Sequence, residues 1–203
     1  HHHCGDLHRS WGRMVMGLLK GGINEFIATT AFNAAPMGIH QRGGKTTMVM
    51  FAGSHTVENI RRDGWVVANI IHDPELYVRT AFADLPREMF VDEPVGDVTM
   101  QRLAGAEAWA AFTTTIEHSS SEAVVVSLIL KKEVVEDIVS HPINRGFNSI
   151  IDATVHATRY VISRDEKLKV LIDYHAGIVR KCGGKRELAA LDLLLGYIDK
   201  KSP

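Results

Sequence analysis

The sequence predicts an α+β protein, mainly β. An antiparallel β-barrel is expected over residues 21–130 and an α-helical C-terminal region over residues 131–203. Three observations predict it. Over residues 22–130 the chain is a series of short apolar runs separated by turn signals, the pattern of closely spaced strands. A single early helix interrupts them, and no G-x-G-x-x-G or Walker loop follows a strand, which argues against a Rossmann or P-loop arrangement. After residue 130 the apolar positions change to helical spacing.

The elements follow in order. Residues 24–30 and 33–40 read as strands, and Gln41-Arg42-Gly43-Gly44-Lys45 as a hairpin turn whose paired glycines supply the positive φ of a tight reversal. Residues 46–51 return as a strand. Ser54 and Thr56 are N-cap residue types ahead of a short helix at 57–62, Asp63-Gly64 stops it, and residues 65–71 form an apolar strand. Further strands are expected at 76–81, 110–118 and 123–130. The last is rich in β-branched residues and alternates poorly, so burial on both faces is expected. Beyond it, helices are expected at 132–140, ended by His141-Pro142, and at 144–163, 165–181 and 185–200. The last three carry apolar stripes that include Ile162, Leu171 and Leu188, and His175 on such a stripe is expected to be a packed histidine.

Composition narrows the function classes. Hydrophobic residues make up 45% and charged residues 23%, enough apolar material for a core that needs no metal or disulfide staple. The formal net charge of -1 gives no field for nucleic acid or an anionic membrane, so a phosphate-bearing ligand must be held by local groups. Cys4 and Cys182 alone exclude a disulfide framework and a cysteine zinc site, and suit a reducing cytoplasm. No apolar run approaches the roughly 18 residues of a membrane span, and the N-terminus lacks signal-peptide features. His1-His2-His3 reads as the stub of a tag, residues 1–20 as an extension, and no metal site is expected.

Three groups of residues bear on chemistry. Asn33-Ala34-Ala35-Pro36-Met37-Gly38 is a strand of small residues broken by a proline that cannot donate to a ladder. A broken ladder leaves N–H and C=O groups for another partner, such as the edge of a flat heteroaromatic ring; taken alone, the run fits an ordinary edge strand with a proline bulge better. Ser54-His55-Thr56-Val57-Glu58-Asn59 opens a helix, whose unpaired N–H groups suit a phosphate, and plain N-capping is the alternative. Arg42, Lys45, Arg61 and Arg62 are cations that could neutralise it. In the long helix, Arg145, Asn148, Asp152, His156 and Arg159 share one face. Asp152 paired with His156 would raise the imidazole pKa, and the two arginines could take an anion; a solvated face with an ion pair is the alternative.

Together these stretches, with Gly64-Trp65-Val66-Val67-Ala68-Asn69-Ile70, resemble the flavin reductase-like FMN-binding split barrels. More closely, the whole chain resembles a mainly archaeal family of FMN-binding split-barrel proteins labelled domain of unknown function 447. That match begins at Gly22-Ile23-Asn24-Glu25 and includes Asn144-Arg145 and Val155-His156-Ala157-Thr158-Arg159. The resemblance implies an FMN-binding split β-barrel with an α-helical C-terminal region. Asn33, Ala34, Ala35, Pro36, Met37 and Gly38 would line the flavin; Ser54, His55, Thr56 and Asn59 would adjoin its ribityl phosphate. It also implies a homodimer with flavin near the subunit interface, and the strands near Val49 and Val67 are expected to contribute apolar surface. The chain departs from the pattern in the short Ala31-Phe32 turn and in His55, which stands where flavin reductases often carry an acidic or basic residue.

The expected function is FMN-dependent oxidation or reduction of a small molecule, with His156 as candidate proton donor, His55 as a second candidate beside it, and Arg159 as candidate substrate anchor. A non-catalytic FMN-binding or electron-transfer protein, and a split barrel using a deazaflavin, stand as alternatives.

Overall fold

The computed structural model describes residues 17–200; the histidine stub and Cys4 lie outside the described residues. Contacts divide the chain into two compact units. One comprises the chain up to Ile71 together with Pro86–Val139, and the other comprises His72–Leu85 together with the chain from Ser140 on.

In the first unit six strands close a barrel. They are β1 (Gly22–Thr30), β2 (Asn33–Arg42), β3 (Lys45–Phe51), β4 (Trp65–Ile70), β7 (Ala108–Ser119) and β8 (Ala123–Val135), in the order β1-β2-β3-β8-β7-β4, and β4 returns to pair with β1. All the pairings are antiparallel, and short connections join β1 to β2, β2 to β3 and β7 to β8. The β2–β3 turn is Gly43-Gly44 with φ of 58° and 75°, a conformation that suits the twist of a two-residue hairpin. Alternation sends Phe26, Ile39, Met48, Phe112 and Val126 into the barrel, where α1 (His55–Asp63) adds Val57 and Ile60.

The second sheet is a hairpin that sequence reading did not anticipate. A 3-10 turn at Arg87–Met89 leads into β5 (Phe90–Val95) and β6 (Val98–Leu103), joined through Gly96 at φ 59°. Val95 and Met100 pack on Trp65, Val67, Trp109 and Ala111 of β4 and β7. Asn69, fully buried, ties this layer together. Its amide donates to the carbonyl of Ile27 (2.9 Å) and the hydroxyl of Thr29 (3.1 Å), and its oxygen accepts from the N–H of Leu103 (2.9 Å). Val67 is therefore enclosed within its own unit, so the expectation that it offers apolar surface for dimerisation is corrected.

Two features of β8 also differ from expectation. It continues through residues 132–135, where a helix was expected, because Ala108↔Val135 and the pairs that follow give this tail a ladder with β7. It is buried on one face and not both: Val124 and Val126 are fully buried, whereas Ile129 is 57% exposed.

The second unit is helical: α2 (Pro74–Phe82), α3 (Arg145–Ser163), α4 (Glu166–Cys182) and α5 (Lys185–Lys200). The expectation of a strand at 76–81 fails because Asp73 caps a helix there. Its carboxylate accepts from the N–H of Leu76 at 3.1 Å, and Pro74 occupies the first turn, where its missing N–H costs nothing. Val78 then joins the core formed by Ile150, Ala157, Ile172 and Leu194. Asn144 caps α3 by accepting from the N–H of Phe147 at 3.1 Å. Gly146 lets α3 approach the α4–α5 turn, since a Cβ there would lie 2.6 Å from Cα of Gly183. Of the expected stripes, Ile162, Leu171 and Leu188 are exposed instead of packed.

Candidate functional site

The barrel is closed at one end of β2 and open at the other. β2 pairs with β1 along its whole length, from Gly22↔Gln41 to Thr30↔Asn33. Its ladder with β3 covers only Ile39↔Met48 to Arg42↔Lys45. Among the described residues, no strand pairs with the second edge of β2 along residues 33–38. This is the stretch in which Pro36 already lacks a donor.

The start of α1 adjoins this open stretch. α1 packs against β1, β2 and β3, and two side-chain links fix it there. The amide of Asn33 donates to the Thr56 hydroxyl (3.3 Å), and the amide of Asn59 donates to the carbonyl (3.0 Å) and hydroxyl (3.2 Å) of Thr30. Two runs separated in sequence are thus joined at the β1–β2 turn. Ser54 is the N-cap and accepts from the N–H of Val57 at 3.3 Å. The N–H groups of His55 and Thr56, at the first helical positions, have no acceptor inside the helix by construction. Thr56, 2% exposed, accepts through its oxygen and keeps its own O–H to donate.

The sequence-proposed residues fall into three settings. Alternation divides residues 33–38: Met37 packs against the barrel core, whereas Pro36 and Gly38 face the opposite side of the sheet. His55 is exposed, its Nδ1 3.6 Å from the Glu58 carboxylate. Of the four cations, Arg61 donates to the Ser119 hydroxyl (2.9 Å), and Arg62 holds Asp63 through two hydrogen bonds at 2.8 and 2.9 Å. The bond to Arg62 keeps the Asp63 carboxyl below its usual pKa. Arg42 and Lys45 flank the β2–β3 turn, at the closed end.

His156 and Arg159 lie on α3 in the helical unit. Arg159 is exposed, and His156 is half-buried with its ring 5.9 Å from that of His175 on α4. His175 in turn shares a 3.1 Å hydrogen bond with the buried hydroxyl of Ser149. Asp152 was expected to raise the imidazole pKa of His156. Instead, burial pushes it below its ordinary value, His175 lowers it further, and the opposing pull of Asp152 is smaller. Its Nδ1 is buried without a hydrogen-bond partner, as a neutral ring tolerates better than a charged one.

Sequence reading missed one cation beside the open edge. The Arg87 guanidinium lies 3.7 Å above the ring centroid of Phe32, in the turn that precedes Asn33. Nothing local in the sequence joins these two residues; only the β5–β6 hairpin brings them together.

No group of three or more histidine, cysteine, aspartate or glutamate side chains suited to a metal occurs among the described residues. No described helix is long and apolar enough to cross a membrane.

The fold and its open edge define a split β-barrel protein with a helical C-terminal unit. Residues 24–137 match the model of the "Protein of unknown function (DUF447) N-terminal domain", and residues 144–196 match that of "Protein of unknown function (DUF447)". The chain belongs to this family. It is similar to the FMN-bound protein MM1853 from Methanosarcina mazei, whose crystal structure superposes with a TM-score of 0.83. That match has 35% identity and covers 88% of this chain and 96% of the other. It is also similar to the "Uncharacterized protein MJ1453" of Methanocaldococcus jannaschii, at 23% identity over 85% of this chain and 96% of that relative.

Proposed function

We propose that this chain binds FMN non-covalently and works as an FMN-dependent oxidoreductase on a small molecule, as a cytoplasmic homodimer. The observation that carries the cofactor is the unpaired edge of β2 at residues 33–38, tied to the first turn of α1 through Asn33 and Thr56. A flat ring with donors and acceptors on its rim complements a strand edge, and a phosphate complements the N–H groups of a helix start. The FMN bound by the Methanosarcina relative supports the same choice.

FMN supplies the redox chemistry when bound; the chain's part is to hold and orient it. Residues 33–38 border the ring in this reading, and Ser54, His55, Thr56 and Asn59 adjoin the ribityl phosphate. Exposed Val49, Phe51 and Ile129 on the paired strands β3 and β8 support a homodimer, since exposed apolar side chains suit an interaction face. The flavin is taken to lie near the subunit interface. His156 stays the candidate to hold or move a proton, since a neutral imidazole offers one acceptor and one donor nitrogen. Arg159 stays the candidate anion anchor.

Mass spectrometry of small molecules released by gentle denaturation tests the cofactor. FMN is the expected species, and a deazaflavin or no flavin overturns the reading. Anaerobic bleaching by NADH or NADPH is expected of a nicotinamide-dependent reductase. A fully FMN-loaded protein that no donor reduces is instead a flavin carrier.

A further inference from the structure

We infer that Arg87 recognises the terminal phosphate of the flavin and that the Phe32 ring is the platform that holds it; this rests on the FMN reading above. The start of α1 offers donors but no fixed cation. Its first turn carries the acidic Glu58, and the exposed imidazole of His55 lies against that carboxylate. A phosphate monoester carries a charge of about −1.5 to −2 at neutral pH, and hydrogen bonds from charged donors are roughly twice as strong as those from neutral ones. A net charge of -1 over the whole chain supplies no background field to replace a local cation.

The four cations that sequence suggests for this task are placed elsewhere or engaged. Arg42 stands at the closed end of β2, nine residues from Asn33 and therefore about 30 Å along an extended strand, and Lys45 is paired opposite it on β3. Arg61 is bonded to Ser119, and Arg62 to Asp63 and Asn59.

Arg87 is different. Among the described residues it makes no ion pair and no side-chain hydrogen bond; its contact is the face of Phe32 at 3.7 Å. Phe32 is braced in turn by the edge of Phe90, with ring centroids 5.7 Å apart and planes at 72°. A guanidinium stacked on a ring keeps its N–H edge free, in the planar fork that matches phosphate oxygens. The stack stands in the Ala31-Phe32 turn, one residue before the Asn33 that grips Thr56. The turn is sharp enough to place Ala31 at φ 50°, a left-handed conformation that alanine seldom adopts.

The test compares FMN with riboflavin, which lacks the phosphate, by titrating each against flavin-free protein and following flavin fluorescence. The wild type is expected to bind FMN at least about tenfold more tightly than riboflavin, the scale of a charged hydrogen bond. Arg87→Gln is expected to remove most of that preference and leave riboflavin affinity unchanged, while Arg87→Lys retains part of it. Phe32→Leu is expected to reduce the preference part-way by releasing the guanidinium. Arg87 is exposed, so its variants should melt as the wild type does. An Arg87→Gln protein that still prefers FMN as strongly as the wild type overturns this inference and leaves the flavin reading intact. A wild type that binds neither flavin overturns both.

Discussion

The side-chain amide of Asn33 donates to the Thr56 hydroxyl across 3.3 Å, joining the open strand edge of the barrel to the first turn of α1. Asn59, one turn further along, holds the carbonyl of Thr30 on the other side of the same turn. The site is thus a clamp between a hairpin tip and a helix start, and each of its parts can be tested.

Thr56→Val removes the acceptor for Asn33 and the hydroxyl available to a ligand, while keeping the side chain's volume. It is expected to cost about 1 kcal/mol of stability and to weaken FMN retention in a folded barrel. Combined with Asn33→Ala in a double-mutant cycle, the two changes should couple, because they remove one shared bond. Purely additive stabilities, with flavin content unchanged, would remove Thr56 from the flavin site.

Asn69 is the polar tie of the β5–β6 layer, and its bonds to Ile27, Thr29 and Leu103 lie away from water. Asn69→Leu keeps the size but orphans buried partners, so a loss of about 2 kcal/mol or more is expected in chemical denaturation. A variant as stable as the wild type would mean that those partners find other bonds.

Gly146→Ala places a methyl group 2.6 Å from the backbone of Gly183, which a rotamer change cannot relieve. A loss of about 1–3 kcal/mol from the helical unit is expected, read as a lower melting temperature. An unchanged melting temperature would show that the α4–α5 turn yields without cost.

His156 links stability to pH. Burial holds its folded-state pKa below the unfolded value of about 6.5, so between the two values the unfolded chain binds a proton that the folded chain refuses. The contribution is therefore fully present above that unfolded value and declines as the pH falls toward the folded pKa. Melting temperature is expected to drop more steeply for the wild type than for His156→Gln between about pH 7 and pH 5. Parallel profiles would rule out the linkage, and imidazole chemical shifts followed by NMR would give the folded-state value directly.

Much of the barrel was legible because its signals are local. Gly43-Gly44 needs no partner to demand a hairpin, and Ser54 caps α1 through the N–H of a residue three positions on. α2 was equally legible in Asp73-Pro74, but the apolar residues after it match a strand as well as a short helix, and that likeness misled. The tail of β8 gave no such warning. Residues 132–135 became strand because β7 was there to pair with, a fact of the sheet and not of the segment.

The sequence by itself determined the succession of strands followed by helices, the cap of α1, the proline-broken run at residues 33–38 and the family likeness built from them. Each is written in neighbouring residues, within reach of local backbone preference. Only the tertiary structure decided that β2 leaves β3 at Ile39, that Asn33 meets Thr56, that burial and His175 outweigh Asp152 at His156, and that Arg87 rests on Phe32. Those outcomes depend on which distant groups share one small volume and on what that volume excludes from water. No spacing along the chain encodes either.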